Sequence, residues 1–185
     1  MRIGILGGTF DPPHVGHLGA AIRVLDSGLT DEVWFVPCLA HRFGKAPAPF
    51  EDRLAMCELL IEGHKGLRVT DVEASINRPG YTIDLVRRLM HDFPEHTFRL
   101  IAGTDIYHQK DLWHQYDEIA RLAPPIYVRR IGEPPIPEPV LPAPPEISSH
   151  RLRDVLAAGG DPTEDMPERV IEYVHEHGLY LKDDE

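Results

Sequence analysis

Arg2-Ile3-Gly4-Ile5-Leu6-Gly7-Gly8-Thr9-Phe10-Asp11-Pro12-Pro13-His14-Val15-Gly16-His17 opens the chain, and its reading decides the fold. Arg2 to Leu6 is a short apolar run that stops at two glycines, the pattern of a buried strand entering a tight turn. From His14 onward, Val15, Leu18, Ile22 and Leu25 recur at spacings of three and four until Gly28, which predicts an amphipathic helix. Pro12 restricts Asp11 to an extended conformation, and Pro13 presets a helix start. The helix therefore begins where the strand ends. Its unpaired amides and positive dipole end suit a phosphate.

Outward from this unit the same alternation continues. Glu32 to Pro37 reads as a second strand, followed by a loop through Gly44, Pro47 and Pro49 and a helix from Phe50 to Ile61. A strand around Leu67 to Val72, a loop through Asn77-Arg78-Pro79-Gly80 and a helix carrying Ile83, Val86, Leu89 and Phe93 come next. Thr97 to Ala102 is a strand, Asp111 to Leu122 a helix, and Pro125 to Arg129 the last strand of the series. Strands separated by helices require crossover connections, so the expected class is α/β: a doubly wound, mostly parallel sheet with helices on both faces. In such sheets ligands bind beyond the carboxyl ends of the strands, at a topological switch point. Between Pro134 and Pro145, seven of twelve residues are proline, which forbids a helix or a central strand and leaves an extended strap. The expected organisation is one unit: a core over residues 1–133, a strap over 134–146, and a C-terminal segment, 147–185, whose two short helices are too few for a core of their own.

The chain has 185 residues, 42% apolar and 26% charged, an ordinary globular balance. Its 19 basic and 30 acidic residues leave a formal charge of −11, which disfavours nucleic acid or an anionic membrane as a partner bound by bulk attraction. A polyanionic ligand must meet local positive potential instead. The candidates are His41-Arg42-Phe43-Gly44-Lys45, Arg129-Arg130 and Arg151-Leu152-Arg153. No apolar run reaches the ~18 residues of a membrane span. The N-terminus lacks the apolar stretch of a secretory signal and reads as a cytoplasmic start. Cys38 and Cys57 lack metal-ligand spacing and read as ordinary thiols.

His14 and His17 lie three residues apart in the first helical turn, so both imidazoles project from one face toward the anion site. Gly16 between them leaves room for a bulky ligand. Paired histidines also bind zinc, but no third ligand follows at a recognisable spacing.

The string Gly8-Thr9-Phe10-Asp11-Pro12-Pro13-His14-Val15-Gly16-His17 resembles the signature of the nucleotidyltransferase superfamily that includes the nicotinate-nucleotide and phosphopantetheine adenylyltransferases. Ile147-Ser148-Ser149-His150-Arg151-Leu152-Arg153 resembles that superfamily's second element, Ile-Ser-Ser-Thr-x-x-Arg. Arg78-Pro79-Gly80-Tyr81-Thr82, with Trp113 and Ile119, looks like the nicotinate-nucleotide branch. The resemblance runs from residue 3 to about 181 and implies a Rossmann-like fold. Three departures stand out: His150 replaces a threonine, Leu39-Ala40 replaces a proline-rich pair before His41, and the strap is shorter than usual.

The resemblance also implies an activity, adenylyl transfer from ATP to nicotinate mononucleotide. His14 and His17 are then the catalytic pair. Gly8, Thr9, Phe10, Gly103, Asp105, Ser148, Ser149 and Arg153 bind ATP, with the Asp105 carboxylate suited to ribose hydroxyls. Arg42 reaches phosphate, amides near Thr82 receive the pyridine carboxylate, and Trp113 stacks on the ring. Mg²⁺ is held mainly through the ATP phosphates and water. Asp11 is either an orienter of a metal-bound water or a turn residue. The alternatives are a phosphopantetheine adenylyltransferase-like enzyme and a nucleotide-binding regulatory protein without turnover. Neither nucleic acid nor membrane is an expected partner, and the sequence carries no sign of oligomeric state.

Overall fold

The computed structural model describes residues 1–39, 47–76 and 80–181. β1 (Arg2–Gly8) is buried without a break from Ile3 to Leu6, because a central parallel strand is covered on both faces. It pairs in parallel with β2 (Glu32–Pro37) on one side and with β4 (Thr97–Gly103) on the other. β3 (Leu67–Val69), β5 (Pro125–Val128) and β6 (Val140–Leu141) complete a parallel sheet in the order β3-β2-β1-β4-β5-β6. The order reverses between β1 and β4, which puts the switch point at Gly8 and Gly103.

The helices are α1 (Val15–Asp26), α2 (Phe50–Ile61), α3 (Thr82–Asp92), α4 (Thr104–His108), α5 (Tyr116–Leu122), α6 (Ser149–Ala157) and α7 (Glu168–Glu176). Alternate residues of β1 point to opposite faces of the sheet and so feed two cores. Leu6 joins Val24 of α1, Met56 and Leu60 of α2, Leu152 and Leu156 of α6, and Val170 and Val174 of α7. Ile3 and Ile5 join Ile83, Val86 and Leu89 of α3 and Ile119 of α5. The C-terminal helices thus share the core of α1 and α2.

Three elements differ from the sequence reading. The helix expected over 111–122 forms only at Tyr116–Leu122, because Gln115 takes a left-handed conformation (φ 58°) and Trp113 an extended one. α4 follows β4 directly, over residues to which the sequence reading assigned no element. The strap contains β6, a two-residue strand at the sheet's edge, where proline's missing N–H is tolerated. The chain beyond it crosses α1. A β-carbon on Gly16 would lie 2.9 Å from the Pro145 carbonyl oxygen and 2.9 Å from Nδ1 of His14. Gly16 is therefore required by the strap and the His14 ring. No helix among the described residues is long and apolar enough to cross a membrane.

Since Leu152 is buried in the core shared with α1 and α2, Leu152→Ala is expected to cost about 2–5 kcal/mol. Urea unfolding followed by circular dichroism and by tryptophan fluorescence should give one coincident transition. Two separate transitions would show that residues 147–185 fold apart from the rest.

Candidate active site

A cavity of about 960 Å³ opens at the carboxyl ends of β1 and β4. Its wall includes Gly8, Thr9, His14 and His17 from the opening string, Gly103 and Asp105 after β4, Ser148, Ser149 and His150 at the start of α6, and Thr82 and Trp113. Elements from both faces of the sheet converge there. α1 and α6 belong to one core, and Trp113 packs against the other, beneath α3 and α5.

The two histidines form a stacked pair, with ring centroids 3.7 Å apart and planes 25° from parallel. His14 occupies the N-cap of α1, and its backbone N–H donates to Nδ1 of His17 at 3.3 Å. That bond leaves the neutral His17 ring with its proton on Nε2. Phe10, buried and at φ 51°, meets the His17 ring edge-on at 4.9 Å. A left-handed phenylalanine is an uncommon conformation, about 1–3 kcal/mol above the ordinary ones. Here it places an apolar wedge beneath the catalytic candidate. Phe10 is therefore outside the cavity wall, and it also fills the space beside Gly8, where a β-carbon would lie 3.2 Å from the phenyl ring.

The N-terminus of α1 offers fewer free amides than its sequence suggests. Val15 N–H is taken by the Asp165 carbonyl at 3.0 Å, and His17 N–H by the His14 carbonyl at 3.0 Å. The imidazoles therefore carry more of the anion-binding capacity there. Nδ1 of His14 is buried without a hydrogen-bond partner, a costly state for a polar atom unless a ligand supplies one.

Asp11 is tied into the turn by its side chain. Its carboxylate accepts from the Tyr180 hydroxyl at 2.8 Å and the Ala48 amide at 3.0 Å and lies 3.4 Å from Arg153. Arg153 donates to the Asp11 carbonyl at 2.6 Å and does not line the cavity, unlike its neighbour Arg151. Ser148 caps α6 by backbone conformation alone and leaves its hydroxyl out of the cap. Ser149 donates to the Pro12 carbonyl at 2.9 Å. At the end of β4, Oδ1 of Asp105 folds back over Gly103, where a β-carbon would lie 2.1 Å away. Only glycine allows that carboxylate its place. Arg42 lies outside the described residues.

Sequence reasoning left Glu73 and Asp165 unmarked and named Arg130 only as part of a basic cluster. Arg130 lines the cavity and lowers the proton affinity of both histidines; its signal was the Arg129-Arg130 pair at the end of β5. Its amide is held by the buried Thr104 hydroxyl at 3.0 Å. Glu73, buried in the wall near Thr82, accepts the Gly80 amide at 3.2 Å, and burial pushes its carboxyl above the usual range. Nothing in the sequence marked it. Asp165 comes from the loop before α7 and pairs with Arg151 at 2.7 Å. Among the described residues no group of three or more His, Cys, Asp or Glu could hold a metal ion, so His14 and His17 have no third ligand there.

Residues 5–155 match the cytidylyltransferase-like family. Over 183 residues the chain is 43% identical to a probable nicotinate-nucleotide adenylyltransferase of Anaeromyxobacter sp. (strain K), spanning 97% of this chain and 96% of that protein. The probable nicotinate-nucleotide adenylyltransferase of Myxococcus xanthus (strain DK1622) is 38% identical over 181 residues, 97% of this chain and 95% of its own. The chain belongs to the nicotinate-nucleotide adenylyltransferase family. It is thereby an enzyme of the nucleotidyltransferase class. Its fold is shared by a Plasmodium falciparum nicotinic acid mononucleotide adenylyltransferase solved in complex with NaAD, at a TM-score of 0.82, 20% identity and 97% coverage of both chains. His150 stands where the sequence resemblance expects a threonine. Its ring is 78% exposed at the cavity rim and lies 3.4 Å from Arg153, where it can still donate to an anion.

Burial lowers His14 to about 4, Asp165 opposing the fall and Arg130 adding to it. His17 lies well below the ordinary value of 6.5, through burial first and then through His14 and Arg130. Both rings are neutral at pH 7. An unfolded chain takes up protons on these rings below pH 6.5 that the folded chain refuses, so the stability they confer is present above 6.5 and is lost as pH falls toward 4. Each refused proton costs about 1.4 kcal/mol per pH unit. Melting temperatures measured across that window should fall less steeply for His14→Gln and His17→Gln than for the unaltered chain.

Proposed function

We propose that this chain transfers the adenylyl group of ATP to the phosphate of nicotinate mononucleotide, forming nicotinate adenine dinucleotide and pyrophosphate, as a cytoplasmic step of NAD biosynthesis. The observation that carries the reading is the convergence of the stacked histidine pair, the start of α6 and the Thr82–Trp113 wall on one cavity at the switch point. Relatives alike over nearly their whole length support the choice of acceptor.

The acceptor phosphate attacks the α-phosphorus in line, the bond between that phosphorus and the bridging oxygen breaks, and its electron pair leaves with pyrophosphate. An acceptor that is already an anion needs no general base. The catalytic demand is alignment and charge stabilisation, and alignment of two reactants can supply about 7–11 kcal/mol. Nε2–H of His17 donates to the α-phosphoryl oxygens as charge grows there, and His14 supports the same group. Ser148, Ser149 and the α6 amides receive the leaving phosphates, with Arg151 and Arg130 offsetting the chain's negative charge locally. Asp105 binds the ribose of ATP. Amides at the start of α3, near Thr82, receive the pyridine carboxylate, and Trp113 offers its indole face to the ring. Arg42 contacts phosphate. Mg²⁺, carried on the ATP phosphates and water, supplies charge neutralisation to the leaving group. The Asp11 carboxylate is engaged by the Tyr180 hydroxyl and the Ala48 amide, so the ion would be held by the substrate's phosphates and not by Asp11.

Pyrophosphate release from ATP and Mg²⁺, compared among nicotinate mononucleotide, its amide and phosphopantetheine, tests the reading. Turnover with the nicotinate acceptor is expected, and none with any of the three would overturn it. His17→Ala should lower kcat and kcat/KM together by roughly 10²-fold, the signature of a lost transition-state contact. In the same assay Trp113→Ala should raise KM for the mononucleotide and leave that for ATP unchanged; equal damage to both would count against ring stacking.

A further inference from the structure

We infer that Arg53, which has no surface on the cavity, is a positioning residue that sets the opening string against the end of β2 for the proposed adenylyl transfer. Its side chain belongs to α2 and is 1% exposed. One terminal nitrogen donates to the carbonyls of Thr9 and Cys38, each at 2.8 Å, and Nε donates to the Ala48 carbonyl at 2.9 Å. The other terminal nitrogen approaches the Leu39 carbonyl at 3.5 Å, and the guanidinium lies over the Phe50 ring at 5.6 Å. Thr9 and Cys38 both line the cavity, so Arg53 sits one residue behind its wall.

The backbone of these two residues needs such a tie. β1 and β2 remain paired only as far as Gly8 and Pro37, and the last ladder bond runs from the Cys38 amide to the Gly8 carbonyl at 2.9 Å. Beyond it the ladder ends, and Arg53 supplies the donor to the carbonyls of Thr9 and Cys38 in place of an amide of the neighbouring strand. A planar fork with five donors can hold carbonyls from three separate stretches of chain at fixed angles, whereas an ammonium is a point charge on a flexible stem. The fork fixes where Thr9 stands, and through it Phe10, the wedge beneath His17. An error of about 1 Å in such an arrangement can cost on the order of 10²-fold in rate.

The proposal rests on the adenylyl-transfer reading, so its test carries one measurement that needs turnover and one that does not. Arg53→Lys and Arg53→Ala are compared with the unaltered chain by thermal melting, by pyrophosphate release, and by hydrogen exchange of peptides covering residues 7–17. In folded Arg53→Lys, kcat should fall at least about tenfold with KM for the mononucleotide little changed, and exchange should rise in the 7–17 peptides but not in those from β4 and β5. Added guanidinium at tens of millimolar should restore kcat to Arg53→Ala, while sodium chloride at equal concentration should not. A folded Arg53→Lys with unaltered kcat and unaltered exchange would overturn the proposal. So would failure of both variants to fold, since Arg53 would then serve stability alone. If the unaltered chain turns over no acceptor, the reaction reading fails and the exchange measurement alone decides on Arg53.

Discussion

The stretch from Thr9 to Pro12 turns from β1 into α1 beside the cavity, and its carbonyls, which would repel an anion there, are satisfied by side chains from elsewhere in the chain. Three of its four carbonyls meet three distant donors: Arg53 takes that of Thr9 at 2.8 Å, Arg153 that of Asp11 at 2.6 Å, and the Ser149 hydroxyl that of Pro12 at 2.9 Å. Buried carbonyls without partners cost heavily, so the turn is stable only inside the assembled fold. The site depends on that accounting, because it fixes the direction in which α1 begins.

The electrostatics follow the same division. In a chain of net charge −11, two carboxylates beside the site are held in bonds. Asp11 is held by Tyr180 and Ala48, and Asp165 by Arg151. Arg129 and Arg130 reach the cavity without bringing matching acids from their own strand. The histidines, deprotonated by burial, contribute oriented N–H dipoles instead of charge. A neutral donor in a dry site can strengthen its bond as phosphoryl charge develops without binding the ground state equally tightly.

The strap shows how a proline-rich segment becomes part of a site. Its residues 143–146 line the cavity, and its passage over α1 is possible because Gly16 and Gly19 present no side chains to Pro144 and Pro145. The strap is anchored on one side by β6 and on the other by α6, whose first residues complete the wall. The C-terminal segment therefore belongs to the site as well as to the core.

Order and type of the main elements were legible in the sequence because apolar period and glycine punctuation are local. The start of α1 beyond Pro13, the length of α2 and the strand beneath Gly103 all follow from neighbours a few residues apart. The motif histidines were expected together in the first helical turn; His14 is instead the extended N-cap, and its backbone bond to the His17 ring and the ring stacking bring the two together. The sequence could not show that Gln115 turns left-handed and cuts a helix in half, because a non-glycine residue carries no local signal for that conformation. Nor could it assign Asp11, Arg53 or Glu73, whose partners lie up to 169 residues away in the chain. Local propensity sets which elements form; which buried polar group meets which is a property of packed elements, and only the tertiary structure decides it.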